Sequence, residues 1–521
     1  SDFWPMQRQL FDNRQDTHRY GIDGKAVVWQ CDVLEDGTIQ PDSGRNVTTL
    51  GATTCDEANA DFVRVIVSTR RGGGDHGFIY ALDLSDTIGS DDDKVDPKFM
   101  WRISGGDTSG DFRRLAQTWS DPRIVTILVE SPGLAPHPKE VIVFGGGYDP
   151  KLDDITRYTT ADNDGNDYLG NAIYIVDPMN GKKILSISGA GSGADIEVAD
   201  MHFSIPSRIS SIDSNGDGMT DRLYVGDLGG QVWRVDLGES VPLAGNRSKG
   251  TVIGKLAKIS GNDSASRRRF FEPPSVVQVK DTVFSETEEY DYVLLGTGDR
   301  PHPLSQTVHD RFYAFRDRFI GNNSLVDADG NHVSGDGDAY PTPDHKPYSH
   351  ETDTSLLNAT TKSLNDFDID AVKSSDGYFF DFAEANGNRP GEKNLSAPKT
   401  IEGAVAFTTF DPVGDTSSGT QSANDKKKDD PCSAAPNIGT ARAYHFPILS
   451  ADVPEISEVA KGRGANRFRK SIGSGIPSDV IPIFTRDGIV GITQSDGIGH
   501  NLGPLSSNAP ERAYWNESIE F

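Results

Sequence analysis

The 521-residue chain carries 51 Lys and Arg against 78 Asp and Glu, which gives a formal net charge of −27. Such an acidic surface repels phosphate backbones and anionic lipids and attracts divalent cations, so nucleic acid is excluded as an expected partner. No run approaches the roughly 20 apolar residues of a membrane span, and the start at Ser1 has no basic and apolar leader. We therefore expect a soluble, mature fragment.

The composition predicts an all-β chain. It contains 55 Gly, clusters of Asn and Asp, and short β-branched runs, as expected for many strands that are joined by many turns. The length alone would allow several domains or one large one.

A two-part pattern recurs along the chain. A β-branched run ending in Gly is followed by an aromatic-containing strand ending in Asp, most compactly at 223–227 and 231–236. The other copies are 62–67 with 77–83, 141–145 with 172–177, 292–296 with 311–316, and 404–407 with 442–446. A Pro-containing or Asp-Gly step precedes each copy, and Pro is tolerated at a strand start because it cannot donate a ladder hydrogen bond. Each copy therefore predicts a sheet of three or four antiparallel strands.

Such small sheets must stack to cover both apolar faces, and radial closure also protects their edges. We predict a modified β-propeller that occupies 1–521 as a single domain, with a sixth copy at Ile476. Long loops on one face explain the unequal spacing, because insertions there cost little closure entropy. The predicted insertions are 40–59, 149–170, 237–266, 321–365 and 411–438. The alternative is a β-sandwich with additional modules.

The segment 213–221 predicts a calcium site. It places side-chain oxygens at loop positions one, three, five and nine, a carbonyl at seven, and Gly218 at six, where a sharp bend lets the oxygens converge. The candidate ligands are the side chains of Asp213, Asn215, Asp217 and Asp221 and the carbonyl of Met219. Position twelve is Tyr224 rather than the Glu of an EF-hand, so Asp221 must replace that ligand. The alternative is an Asp/Asn/Gly turn without an ion.

Two further acidic segments, 162–167 and 327–331, lack a complete ligand pattern and are interpreted as solvated turns, with a second metal site in either as the alternative. Cys31 and Cys55 bracket one polar loop, and Cys432 lies far away in the sequence. We predict a disulfide between Cys31 and Cys55; three inert thiols in a reducing compartment are the alternative.

Several segments resemble the PilY/PilC family of type IV pilus biogenesis and tip-adhesion proteins. They are 72–83, 143–148, 173–177, 377–382 and, most specifically, the calcium loop with its continuation to 237. The resemblance implies a propeller of about seven blades (six to seven), exported to the surface, pilus tip or outer membrane of a Gram-negative bacterium. It implies pilins or minor pilins and a host-cell or abiotic surface as partners.

In that family, calcium at this loop is thought to govern pilus extension against retraction, and thus twitching motility. The resemblance implies the same five ligands in this chain, namely the side chains of Asp213, Asn215, Asp217 and Asp221 and the carbonyl of Met219. The chain has no Arg-Gly-Asp tripeptide to support integrin-type adhesion, and it lacks the von Willebrand-type module of the family's N-terminal half.

Enzymatic alternatives find little support, and we predict a chain without enzymatic activity. A quinoprotein-like propeller oxidoreductase would need Trp at one recurring blade position and an adjacent cysteine pair, neither of which occurs. Ser192 and Ser474 lack the context of a hydrolase nucleophile, and the Gly-rich segment 189–194 is a turn. His302 and His309, near Asp299, are interpreted as surface residues. An adhesin with purely structural calcium remains the main alternative.

Overall fold

A computed structural model describes the greater part of the chain. Within that part the secondary structure is almost entirely β-strand, with one α-helix, α1 (Ile369–Ser374), and short 3-10 turns at Arg71–Gly73, Pro150–Asp153 and Leu364–Asp366. No helix there is long and apolar enough to cross a bilayer. The described residues are 21–32, 61–74, 76–85, 97–107, 109–154, 169–261, 263–281, 288–318, 348–349, 356–360, 364–382, 391–413, 439–449, 451, 468–486, 488–495, 497–504 and 513–514.

The chain forms two compact units. The first contains Ser1–Leu228, Trp233–Lys255 and Leu325–Lys346, and the second contains Gly229–Val232, Leu256–Ser324 and Pro347–Phe521.

Sheets 1 and 2 belong to the first unit. Sheet 1 is an antiparallel meander of β1 (Ala26–Cys31), β2 (Phe62–Ser68), β3 (Phe78–Asp83) and β4 (Lys98–Ser104). Sheet 2 continues with β5 (Arg123–Glu130), β6 (His137–Gly145), β7 (Ala172–Val176), β8 (Lys183–Gly189) and β9 (Ile196–Val198). The first four strands of sheet 2 are antiparallel neighbours, whereas β9 runs parallel to β8.

Sheet 3 has the strand order β10-β11-β12-β14-β18. Its strands are β10 (Ser210–Ile212), β11 (Arg222–Gly226), β12 (Gln231–Asp236), β14 (Val252–Lys258) and β18 (Tyr348–Ser349). The short β13 (Val241–Pro242), which follows β12 in sequence, leaves this sheet and pairs in parallel with β5 of sheet 2.

Sheets 4 to 6 belong to the second unit. Sheet 4 has the order β19-β20-β17-β16-β15-β29, sheet 5 the order β21-β23-β24-β25 with β22 on β23, and sheet 6 the order β26-β27-β28. The strands of sheet 4 are β15 (Ser275–Asp281), β16 (Glu288–Gly296), β17 (Arg311–Asp317), β19 (Leu356–Asn358), β20 (Gly377–Asp381) and β29 (Ala513–Tyr514). Those of sheets 5 and 6 are β21 (Lys393–Asn394), β22 (Lys399–Ile401), β23 (Ala404–Asp411), β24 (Thr440–Pro447), β25 (Phe468–Ser474), β26 (Ile481–Thr485), β27 (Gly488–Ser495) and β28 (Ile498–Pro504).

The central strands of sheet 2 are buried on both faces. On β6, Ile142 and Phe144 join an apolar cluster with sheet 1, whereas Val141 and Val143 join a second cluster with β11 and β12. Successive side chains of a strand point to opposite faces, so both faces must be apolar when a sheet packs on each side. This explains why residues 141–145 of β6 and all of β7 are apolar runs in the sequence.

The predicted strand pairs are confirmed, but the number of blades is not. Each of the five two-part copies forms two strands that are neighbours in one sheet. The pairs are β2/β3, β6/β7, β11/β12, β16/β17 and β23/β24. The described residues form five sheets of four to six strands and one of three, rather than about seven blades. One reason is that β20, from the segment 377–382, lies between β19 and β17 in sheet 4 and does not begin another sheet.

The predicted insertions fall mostly on residues that the structure does not describe. All of 40–59 and most of 149–170, 321–365 and 411–438 lie outside the described residues. The segment 237–266 is described almost completely, and it carries β13 and β14. Cys31 is disulfide-bonded. Its predicted partner Cys55, like Cys432, lies outside the described residues.

Asp310 introduces a pH dependence into the stability of the second unit. Burial raises the pKa of this carboxyl from 3.8 to about 6. The positive charges of Lys393 and Arg268 oppose this rise, as does the hydroxyl of Thr297, which donates to Asp310 Oδ1 at 2.8 Å. A carboxyl with a raised pKa stabilises the fold in its protonated form. That contribution is complete below pH 3.8 and is lost as the pH rises through about 6.

We therefore expect the free energy of unfolding to fall by about 3 kcal/mol between pH 3.5 and pH 8, relative to Asp310→Asn. Urea denaturation of both proteins at several pH values measures this difference, and effects of other groups largely cancel. Parallel pH profiles for the two proteins would contradict the assignment.

Candidate metal centre

The loop 213–221 connects two paired strands of the first unit. β10 and β11 are antiparallel, with Ile212 opposite Arg222, so the loop closes a hairpin. The predicted strand after the loop is confirmed as β11, and it is fully buried. The loop itself is exposed from Asn215 to Gly218 and half-buried at both ends. The candidate ligands are thus held on a buried hairpin and presented at the surface.

The carboxylate of Asp213 organises the first half of the loop. Its Oδ1 accepts hydrogen bonds from the N–H groups of Gly216 at 2.7 Å and Asp217 at 3.3 Å. Its Oδ2 accepts the N–H of Gly218 at 2.7 Å. Three backbone donors that converge on one carboxylate fix the curvature of the chain.

The other predicted ligands make similar local bonds. Asn215 Oδ1 accepts the N–H of Asp217 at 2.9 Å, and Asp217 Oδ1 accepts that of Met219 at 2.8 Å. Asp221 Oδ2 accepts both the N–H and the hydroxyl of Ser214, at 2.8 and 2.7 Å. All of these bonds join residues of the loop itself, so its curvature arises from its own side-chain turns.

Two glycines permit this curvature. Gly216 and Gly218 have φ values of 80° and 86°, in the region that L side chains rarely adopt. A Cβ at either position would meet no atom within 4 Å, so the backbone conformation and not space requires glycine. Gly218 thus provides the sharp bend that the sequence predicts.

Backbone bonds anchor the end of the loop to its surroundings. Thr220 N–H donates to the carbonyl of Thr126 on β5 at 2.7 Å, and Asp221 N–H donates to that of Ile212 at 2.9 Å. The carbonyl of Asp221 accepts the N–H of Leu237, just after β12, at 2.8 Å. The backbone of Asp221 is therefore tied to the last residue of β10 and to the residue that follows β12.

The donor set fits a hard cation such as calcium, which prefers carboxylate, amide and carbonyl oxygens. Among the described residues, Asp217 Oδ2 and Asp221 Oδ1 receive no hydrogen bond, so each has an oxygen available to a cation. The carboxylates of Asp213, Asp217 and Asp221 do not, however, bring one oxygen each to within 4.8 Å of one another. Coordination by all three therefore requires the loop to tighten.

Comparison with known proteins connects this fold to a solved structure. No protein-family model and no curated protein matches the chain. The crystal structure of the Pseudomonas aeruginosa PilY1 C-terminal domain matches it with a TM-score of 0.53 and 16% sequence identity, over 94% of this chain and 86% of that one. The fold of this chain is PilY1-like. The small stacked sheets are accordingly propeller-like, in agreement with the predicted architecture apart from the number of blades.

This PilY1-like chain also has site residues that the sequence analysis missed. Ser214, at position two of the loop, binds Asp221 through both its N–H and its hydroxyl. Behind the loop, Arg222 and Arg234 both pair with Asp236, at 3.0 and 2.6 Å. Ser214 could be found from its place between two ligands, but the ion pairs depend on the register of β11 and β12.

The two histidines that the sequence analysis considered for catalysis make different contacts in the PilY1-like chain. His302 Nδ1 lies 3.2 Å from Asp299 Oδ1, whereas the carbonyl of His309 accepts a bond from Arg268 at 2.7 Å. The acidic segments 162–167 and 327–331 lie outside the described residues.

Proposed function

We propose that this chain is a calcium-binding protein of the type IV pilus that controls pilus extension against retraction, twitching motility and surface adhesion, without enzymatic activity. The observation that carries the proposal is the surface hairpin loop 213–221, in which all four predicted side-chain ligands accept hydrogen bonds from the loop's own backbone. The PilY1-like fold supports the assignment to pili.

The loop's own residues suggest how it responds to calcium. Asp213, Asp217 and Asp221 place three negative charges on nine residues, and their repulsion opposes a tight loop. Bound calcium supplies the positive charge that offsets them. Asn215 and the carbonyl of Met219 add neutral oxygens. Because Asp221 is hydrogen-bonded to Ile212 of β10 and to Leu237 directly after β12, we expect tightening of the loop to act on both strands.

The chain's surface and its disulfide support a location outside the cytoplasm. The net charge of −27 disfavours nucleic acid and suits an extracellular surface that binds divalent cations. The disulfide of Cys31 persists best in an oxidising compartment. We propose pilins or minor pilins as partners, together with a host-cell or abiotic surface.

Asp221→Ala tests the calcium assignment. We expect this variant to bind calcium at least about tenfold more weakly, because it removes a charged ligand and the acceptor for Ser214. Isothermal titration calorimetry on the purified chain measures the affinity. The matched control is Asp107→Ala, because Asp107 is an exposed Asp that likewise accepts the N–H and hydroxyl of a nearby Ser, and the affinity of this variant should be unchanged. Equal affinity of Asp221→Ala and the parent would refute the ligand set.

The effect on pili separates regulation from a purely structural ion. We expect cells with Asp221→Ala to change pilus number and twitching, whereas Asp217→Lys, which places an ammonium beside Asp213 and Asp221, should resemble the calcium-bound state. Surface pili and twitching zones measure both variants. Normal motility in a variant that folds but binds no calcium would favour the adhesin with structural calcium.

A further inference from the structure

A polar cavity of about 120 Å³ opens beside the turn between β8 and β9, within the first unit. The loop before β5, the strands β7 and β8, and the turn 192–194 form its walls. None of the calcium-loop residues lines it. The charged side chains that line it are Asp111, Arg113 and Arg114, and Tyr174, Ser188 and Ser192 contribute hydroxyls.

The acidic residues around the cavity already have partners. Lys183 pairs with Asp111 at 3.1 Å and with Asp195 at 3.3 Å. Glu197 accepts backbone N–H bonds from the turn 191–193, at 3.1 and 2.5 Å. Asp111, the carboxylate that lines the cavity, thus has Lys183 as a cationic partner.

Arg113 is the clearest unused donor. Its Nη2 donates to the carbonyl of Gly191 at 3.5 Å, and it forms no ion pair with any described residue. A guanidinium has five N–H donors, so most of them remain for another acceptor. The group lies close against Gly193, where a Cβ would be 2.2 Å from Arg113 Nη2. Glycine at this turn thus leaves room for the guanidinium.

Buried hydroxyls add donors and one acceptor. Ser192 Oγ accepts the N–H of residue 194 at 3.3 Å, and its own hydrogen remains to be donated. Burial raises the pKa of Tyr174, so its phenol stays protonated while it accepts a backbone bond from Arg114. Ser188 donates to the carbonyl of Asn171 at 2.6 Å, which leaves its oxygen to accept from a ligand.

We propose that this cavity binds a sugar acid, a single sugar ring that carries a carboxylate. The carboxylate is the acceptor that Arg113, Ser192 and Tyr174 require, since charge-assisted bonds to a guanidinium are the strong ones. A ring hydroxyl supplies the donor for Ser188. The volume is small beside the roughly 300–1,000 Å³ of pockets for drug-sized ligands, which suits one ring. The proposal does not depend on calcium binding.

Isothermal titration calorimetry of the whole chain with three probes tests the ligand class. Glucuronate is expected to bind, whereas glucose, which lacks the carboxylate, and sulfate, which lacks the ring, should each bind at least about tenfold more weakly. Equal binding of glucose would remove the carboxylate from the explanation. Equal binding of sulfate would reduce the cavity to a simple anion site. Either result, or no binding of glucuronate, overturns the proposal.

Two variants and a control locate the binding. Arg113→Gln should weaken glucuronate binding at least about tenfold, and Ser192→Ala by a smaller factor. The control is Arg208→Gln, a half-buried arginine that does not line the cavity, and it should bind as the parent does. Circular dichroism checks folding; if Arg113→Gln unfolds, Ser192→Ala decides. Unchanged affinity in a folded Arg113→Gln, or in Ser192→Ala when it decides, overturns the proposal.

Discussion

Arg442→Met is expected to lower the free energy of unfolding of the second unit by about 3–5 kcal/mol. Arg442, on β24, lies between two buried carboxylates, and its Nη1 donates to Glu392 Oε2 at 3.0 Å and Asp411 Oδ2 at 2.7 Å. All three side chains are at most 2% exposed. Removal of the guanidinium leaves two negative charges without their cation in a region of low dielectric.

The surrounding bonds make this network costly to rearrange. Glu392 Oε1 also accepts the hydroxyls of Thr409 at 2.6 Å and Tyr444 at 2.9 Å. Burial alone would lower the pKa of Arg442, but Glu392 and Asp411 raise it, so the guanidinium remains charged. The carboxylates are fixed and cannot turn toward water when Arg442 is lost.

Urea denaturation measures the loss, and hydrogen exchange of β23 and β24 localises it. Arg486→Met, at an exposed position, is the matched control and should stay within about 0.5 kcal/mol of the parent. The triple variant Arg442→Met, Glu392→Gln, Asp411→Asn should recover part of the loss, because it removes the buried charges themselves. A loss below about 1 kcal/mol for Arg442→Met alone would show that water reaches the carboxylates.

The sequence predicted those features that depend on neighbouring residues. Residues 141–145 of β6 and the whole of β7 are apolar runs because both faces are buried, and such runs are visible without tertiary information. The turns of the loop 213–221 follow from Asp and Asn that bond to amides two to five residues later. Local spacing is sufficient for both.

Features that join distant segments could not be predicted in this way. Glu392 and Arg442 are 50 residues apart, and nothing near either residue indicates its partner. The β13 strand leaves sheet 3 for β5, and β20 joins sheet 4 after a long intervening segment, so the number of sheets differs from the number inferred from repeats. Strand pairing depends on loop closure over long distances, which the local pattern does not encode.

Trp233→Ala is expected to cost about 3–5 kcal/mol in the first unit, through the cavity that it leaves. Trp233 on β12 is fully buried, and it packs in one apolar cluster with Leu223 and Val225 of β11. Its indole N–H donates to Asp227 Oδ2 at 2.8 Å. Trp233→Phe keeps most of the ring and loses this bond, so it should cost only about 1–3 kcal/mol.

The same substitution should also weaken calcium binding if the loop 213–221 depends on β12. The N–H of Leu237, directly after β12, holds the carbonyl of Asp221, so a loosened β12 releases one anchor of that ligand. Trp29→Ala, a buried Trp on β1, is the control with a comparable loss of stability and no bond to the loop. Calorimetry should show weaker calcium binding for Trp233→Ala than for Trp29→Ala. Equal affinities would mean that β10 and β11 alone hold the loop, and that its response to calcium does not pass through β12.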